Sequence, residues 1–229
     1  MTTNGSHPLD RGISRQTFIR GAVKVLATGV VFGTTRASAD PGTASGWGGL
    51  ASSIGGSVLL PANGAQFSTG KRVFNSSYDN SNPAAVVTVS SQADVQKVVS
   101  FATANKLKIA PRGGGHSYVG ASSSTGTMVL DLHGLPGGAN FDGGCGNVTV
   151  TPATNVYAVH QACAGARRAI RTSTCLAVGI GGLALGGGTG SDSRHAGLTC
   201  DALQAATVVL PSGDVVTASA NGHPDLFCA

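Results

Sequence analysis

The spacing of apolar and polar positions predicts a strand–helix–strand unit in the first half of the chain. Residues 83–89 follow a turn and are rich in β-branched side chains, which predicts a strand. Apolar residues then recur at helical spacing over 91–105, with Ser91 placed to cap the helix. Residues 108–111 return as a second strand, which runs directly into Arg-Gly-Gly-Gly-His-Ser at 112–117.

The second half of the chain contains more strand patterns than helix patterns. Residues 58–61 are either a short strand or a surface lead-in. The strands are too many, and too unevenly spaced with helices, for a simple alternating chain, so the pattern favours the α+β class. The predicted elements are strands at 128–132, 148–152, 203–210 and 215–218, a helix at 155–170 and a tight turn at 211–214.

The first 39 residues have the order of an export signal. Basic residues precede an apolar run at 21–33, and Ala37-Ser38-Ala39 predicts cleavage before Asp40. The stretch Ser14–Arg20 resembles the twin-arginine export motif, except that Gln16 stands at the second arginine. We therefore predict an exported protein, which stays cytoplasmic if Gln16 breaks the signal. The alternative is an amphipathic helix that belongs to the fold. The following Gly- and Ser-rich residues 40–57 are predicted to be a linker.

The positive charge belongs to this leader. The 229-residue chain has a net charge of +5, with 15 Lys and Arg against 10 acidic residues. Residues 1–39 hold five of the basic residues and one Asp, so the remaining chain is close to neutral. A surface that binds a phosphate backbone is therefore not expected. The 41% hydrophobic content excludes general disorder, and the five cysteines fit no zinc pattern.

Two glycine runs are candidates for ligand binding. Consecutive glycines at 113–115 expose backbone N–H groups in a concave arrangement that suits a pyrophosphate, and Arg112 or Ser117 could add a donor. A plain flexible turn is the alternative. The second run, 178–190, formally matches a dinucleotide-binding fingerprint, but its later glycines at 186–188 would break the required helix within two turns.

These motifs together resemble one family. Arg112–Ser117, the run that follows Cys175, and Ser193-Arg194 through Asp201 occur in the order found in berberine-bridge-enzyme-like FAD-linked oxidases. The similarity starts at about residue 58 and implies an FAD-binding domain at 58–229, with a core at about 80–220. The implied fold is a small strand–helix–strand subdomain beside a larger mixed or antiparallel sheet with helices.

The resemblance also implies the roles of individual residues. The histidine that bonds to the flavin 8α-methyl group corresponds to His116, and the cysteine that bonds to flavin C6 corresponds to Cys175. Leu176 stands where the family usually has proline, and a plain buried thiol is the alternative for Cys175. Val178 corresponds to a position beside the flavin where oxygen approaches. The implied FAD-binding residues are Arg112, Gly113, Gly114, Gly115, His116, Ser117, Cys175, Val178, Gly179, Gly181, Gly182, Gly186, Gly187 and Gly190.

The implied function is oxidation of an alcohol, sugar or similar small molecule, with hydride passing from a C–H to flavin N5 and oxygen or another acceptor reoxidising the flavin. The family's catalytic base and substrate lid lie in a further C-terminal half, so we expect no catalytic base in these residues. No metal, nucleic acid or membrane partner beyond export is expected. A non-catalytic, truncated FAD-binding fragment and a secreted Gly- and Ser-rich structural protein are the alternatives.

Overall fold

The chain folds around two β-sheets of unequal size. The computed structural model describes residues 46–228 and the backbone of two short strands, β1 (Val23–Val25) and β2 (Gly29–Val30). The remainder of the predicted leader, including its cleavage site, lies outside the described residues. Within residues 46–228, none of the helices has the length and apolar character needed to cross a membrane.

The smaller sheet is mostly parallel. Its strands lie side by side in the order β3 (Ser57–Leu59), β4 (Ala85–Thr88), β6 (Met128–Asp131) and β5 (Ile109–Arg112). Only β3 runs antiparallel to its neighbour. The short-strand alternative is correct for residues 58 and 59, whereas Pro61 begins a 3-10 turn. The predicted strand–helix–strand unit is confirmed, although β6 lies between its two strands. Both faces of β6 are buried, as its run of apolar residues requires.

The helix of this unit covers the smaller sheet. It is α3 (Gln92–Ala104), and α1 and α2 precede it at Trp47–Ser53 and Ala65–Gly70. The predicted cap is confirmed, because the hydroxyl of Ser91 accepts a hydrogen bond from the backbone N–H of Asp94. Val95, Val98, Val99 and Ala102 of α3 are buried and form one core with the strands.

The larger sheet contains the remaining strands. Its order is β10 (Val215–Ser219), β9 (Leu203–Val209), β1, β8 (Asn147–Val150) and β7 (Ala139–Asp142), and β2 also pairs with β9. The predicted antiparallel pair at the end of the chain is confirmed as β9 and β10. The β7–β8 hairpin was not predicted. β1 runs parallel to both β8 and β9.

The helix α4 (Val156–Gly165) packs against this sheet and is shorter than predicted. Its buried face carries Val156, Val159 and Cys163. The helix stops before residue 170 because Arg167 adopts a left-handed backbone, with φ of 55°. The remaining short helices are α5 (Ile180–Leu185), α6 (Ser193–Ala196) and α7 (Pro224–Phe227).

The linker predicted at 40–57 is wrong for the residues that the structure describes. Residues 47–53 form α1, and Leu50 within it is buried against α3. The rings of Trp47 and Phe101 lie with their centroids 4.9 Å apart. The few large apolar side chains in this segment bury enough surface to order it despite its glycines and serines.

Candidate cofactor site

Two glycine runs, far apart in the sequence, meet through their backbones. The first follows β5, and the second contains α5, with the contacting glycine just before that helix. A Cβ atom built on Gly114 would overlap the backbone nitrogen of Gly179 and lie 2.9 Å from its Cα atom. The reverse substitution meets the same obstacle, so only glycine fits on either side. His116 and Cys175 therefore lie near one point of contact, on the two different segments that meet there.

The first loop carries a row of available backbone donors. None of the N–H groups from Gly113 to Val119 donates a hydrogen bond to another residue in the 46–228 region. Gly115 has φ of +69°, which a larger residue rarely adopts. A Cβ atom on Gly113 would lie 2.9 Å from the carbonyl oxygen of Pro152, so this side of the loop rests on the turn after β8. Consecutive unpaired N–H groups of this kind suit an anion.

The guanidinium of Arg112 faces the protein interior. It forms a buried ion pair with Asp131, at 2.8 Å, between the paired ends of β5 and β6. His133 also bonds to Asp131, at 2.6 Å. Burial raises the pKa of Asp131, but the His133 hydrogen bond and the Arg112 charge outweigh it and lower the pKa to about 2. Arg112 thus anchors the base of the first loop, rather than adding a donor to its outer surface.

His116 lies at the end of the same loop, beneath an aromatic ring. The Phe74 ring stacks on the imidazole with centroids 4.2 Å apart and planes 19° apart. Partial burial lowers the pKa of His116, so the neutral imidazole predominates at neutral pH. The hydroxyl of Ser117 accepts a hydrogen bond from the backbone of Ala121, which closes the following turn.

Most of the second run serves packing between segments. A short helix, α5, begins after Gly179 and ends before Gly186, so the predicted interruption of the fingerprint helix is confirmed. A Cβ atom on Gly181 would lie 2.7 Å from Pro152, and one on Gly190 would overlap the carbonyl oxygen of Thr172. Gly182 has open space around it, and Gly187 follows the helix end with φ of +92°.

Cys175 lies in an exposed loop that leads into the second run. Its carbonyl oxygen accepts a hydrogen bond from the N–H of Val178, at 3.4 Å. Val178 in turn accepts from the N–H of Val156 at the start of α4, which fixes its backbone. The Cys175 thiol is exposed, so the plain buried thiol is not what the structure shows. All five cysteines are free thiols, and Cys163 is the buried one.

Three residues that support the site were not singled out from the sequence. Pro152 contacts both glycine runs, Asp131 holds Arg112, and Phe74 covers His116. The Arg112–Asp131 pair could have been found by aligning β5 with β6 in parallel register, since the two residues are direct partners. Among the described residues, no cluster of His, Cys and Asp is arranged to hold a metal ion.

The sequence of residues 83–219 matches the family described as "FAD binding domain". This stretch contains both glycine runs and most of the two sheets, and it is more than half of the chain. The chain belongs to the berberine-bridge-enzyme-like FAD-linked oxidases. FAD is the cofactor of this family, and the row of backbone donors, the glycine contact, His116 and Cys175 lie inside the matched region.

Individual relatives agree with this assignment. The chain is 35% identical over 162 residues to a xylooligosaccharide oxidase from Thermothelomyces thermophilus, covering 64% of this chain and 30% of the relative. A BBE-like protein from Physcomitrella patens superimposes with a TM-score of 0.74 at 30% identity, covering 79% of this chain and 39% of that one. Glucooligosaccharide oxidase from Acremonium strictum gives a TM-score of 0.70 at 29% identity, over 78% of this chain and 37% of that one.

The chain spans about a third of the length of the curated relatives it matches. The smaller sheet apart from β3, α3, both glycine runs and the β9–β10 pair fall in the matched region. The α+β, two-subdomain prediction is therefore confirmed.

Proposed function

We propose that this chain is the FAD-binding part of an exported oxidoreductase that removes hydride from a C–H group of a sugar or similar alcohol. The single observation that carries the proposal is the backbone contact of Gly114 with Gly179, which brings the two family motifs together. The row of backbone donors beside it suits a pyrophosphate. The residues present therefore fit FAD.

The donors of residues 113–119 would bind the pyrophosphate of FAD. These donors are held in place before the ligand binds, because Arg112 pairs with Asp131 and Pro152 packs against Gly113. Less freedom is then lost when the ligand binds. The second run shapes the opposite wall through Gly179, whereas Gly181 and Gly190 hold that wall in place by packing.

We propose that His116 and Cys175 tether the flavin covalently. The glucooligosaccharide oxidase from Acremonium strictum is described with a 6-S-cysteinyl, 8α-N1-histidyl FAD. In this chain the two candidate residues flank the contact between the loops. His116 is mainly neutral, which leaves a nitrogen lone pair for bond formation, and the Cys175 thiol is exposed.

When bound, FAD supplies hydride acceptance and reoxidation by dioxygen or another acceptor. The chain's own residues bind it, orient it and keep it attached. The backbone of Val178 is held by hydrogen bonds with Cys175 and Val156, and the residue is partly exposed. We propose that its side chain limits access to the flavin. We expect the proton acceptor for the substrate outside these residues.

The substrate class is proposed from relatives. Xylooligosaccharide and chitooligosaccharide oxidases are among the curated proteins that the chain resembles. A xylooligosaccharide oxidase was solved with xylobiose, and a carbohydrate oxidase from Microdochium nivale with a substrate analogue. We therefore propose a sugar or short oligosaccharide as the hydride donor.

Anaerobic reduction tests this function. Because the proton acceptor is expected outside these residues, purified full-length protein that carries them together with that acceptor would be mixed without oxygen with xylobiose or cellobiose, and the visible absorption of oxidised flavin would be followed. Bleaching by a sugar, and recovery on admitting air, supports a sugar oxidase. If dithionite bleaches the flavin and no sugar does, the chain binds FAD without oxidising these sugars, and the substrate proposal fails.

Export is tested separately by the mass of the mature protein. We propose cleavage before Asp40, which would also remove β1 and β2 from the larger sheet, so protein recovered outside the cytoplasm should begin at that residue. Replacing Gln16 with arginine restores the twin-arginine pair and should increase the exported share. Cytoplasmic protein that keeps its leader in both forms would contradict the proposal.

A further inference from the structure

Phe74 is a solvent-exposed aromatic residue whose ring stacks on His116. The side chain is 68% exposed, so its position is not explained by burial in the core. One face of the ring lies on the imidazole of His116, with centroids 4.2 Å apart. An exposed aromatic residue held against a reactive histidine calls for an explanation other than core packing.

The segment that carries Phe74 is fastened to the first glycine loop at three points. Arg112 donates one hydrogen bond to the carbonyl oxygen of Gly70, at 2.7 Å, and another to that of Arg72, at 3.4 Å. The backbone N–H of Phe74 donates to the carbonyl oxygen of Gly115, at 3.1 Å. The ring therefore rests on a support that moves together with the loop.

Stacking restricts the direction in which His116 can form a bond. The lone pair of a neutral imidazole nitrogen lies in the plane of the ring, and this plane is within 19° of the Phe74 plane. With Phe74 over one face, the imidazole cannot turn about its side-chain bond without losing the stack. The nitrogen lone pair is thus held in one plane.

We propose that Phe74 is a positioning residue for the covalent attachment of flavin to His116. This inference rests on the proposed function. The bond formed joins a nitrogen of His116 to the 8α carbon, and the bonds broken are the N–H and one C–H of the methyl group. The two hydrogens leave as protons, and the two electrons released with them reduce the flavin ring system. Dioxygen then removes them as hydrogen peroxide, so atoms and electrons balance.

The test measures acid-stable flavin in a background that isolates His116. Cys175→Ala removes the other candidate tether. In that background, Phe74→Leu removes the ring but keeps an apolar side chain, and Phe74→Tyr keeps the ring. Tyr157→Leu removes another exposed aromatic ring, from α4, and is the matched control. Each protein would be incubated with FAD in air, and flavin retained after acid precipitation would be followed over time, beside total flavin and thermal melting.

We expect Phe74→Leu to slow the formation of acid-stable flavin by about tenfold, with total flavin and melting close to the parent. Phe74→Tyr should restore the parent rate, and Tyr157→Leu should leave it unchanged. Equal rates for Phe74→Leu and Phe74→Tyr would overturn the inference while leaving the covalent tether standing. A parent protein with releasable flavin only, or with none, would overturn the tether itself and the role of Phe74 with it.

Discussion

Gly114 and Gly179 stand with their backbones in contact, and neither position has room for a side chain. This contact brings a loop that follows the smaller sheet against a loop that precedes α5. The first loop brings the row of backbone donors and His116, and the second brings Val178 and Cys175. Each loop alone is a glycine-rich turn, and the contact is what makes them one site.

Gly114→Ala should therefore separate the loops. The added methyl group meets backbone atoms, which cannot rotate away as a flexible side chain could, so the loops must shift. We expect a loss of more than about 2 kcal/mol in the free energy of unfolding and a fall in melting temperature of about 4–8 °C. Flavin content should fall with it.

Gly49→Ala is the matched control for this substitution. Gly49 lies inside α1 with nothing within 4 Å of a Cβ atom built on it. Alanine favours the helix, so stability should rise by up to about 1 kcal/mol and flavin content should not change. Equal effects of the two substitutions on flavin content would show that the loop contact is unimportant for binding.

Asp131→Asn should loosen the base of the first loop. The substitution leaves the buried guanidinium of Arg112 without its charged partner, which costs about 3–5 kcal/mol in comparable pairs. Asp225→Asn, at an exposed position of α7, should change the free energy of unfolding by less than about 0.5 kcal/mol. Urea titration of both variants measures the difference, and similar midpoints would contradict the role given to the pair.

Ionisation of the Asp131 carboxyl group makes the stability of the fold depend on pH. Its pKa is about 2 in the folded chain and about 3.9 in an unfolded one. Because the folded-state pKa is lower, the ionised group stabilises the fold above pH ~4, and this contribution of about 2 kcal/mol is lost as the pH falls through ~2. The slope of stability between these pH values should be shallower in Asp131→Asn than in the parent.

Val178→Leu should slow reoxidation of the flavin. The backbone of Val178 is fixed by hydrogen bonds with Cys175 and Val156, so it cannot withdraw to accommodate a larger side chain. Photoreduced protein would be mixed with air-saturated buffer and its reoxidation timed. We expect a slowing of about tenfold, equivalent to about 1.4 kcal/mol in the barrier, with Val178→Ala at least as fast as the parent. Identical rates would mean that Val178 only packs under the loop.

The regular elements between residues 83 and 219 could be predicted because their apolar residues follow the helix and strand periods. Ser91 could be named as a cap for the same local reason. The β7–β8 hairpin was missed, because β7 has only four residues, too few to establish its alternation, and glycines lie on both sides of it. α1 was missed because glycine and serine dominate its composition, while Trp47 and Leu50 determine its packing.

The site could be predicted only in part. The exposed backbone of the first glycine run predicts anion binding, and the family resemblance predicts that both runs bind FAD. The sequence does not show which glycines face each other. Gly181 and Gly190, predicted to bind the cofactor, pack against Pro152 and Thr172, and such long-range contacts leave no local signal. The stacking of Phe74 on His116 is also a contact between residues far apart in the sequence, so no local pattern indicates it.

The central claim is that His116 and Cys175 attach FAD to this chain, and acid-stable flavin tests it most directly. Protein would be precipitated with acid, washed, and measured for flavin fluorescence in the pellet. The unaltered chain should retain its flavin, His116→Ala and Cys175→Ala should each retain it through the remaining bond, and the double variant should release all of it. Flavin that stays with the double variant, or a colourless pellet from the unaltered chain, would contradict the account.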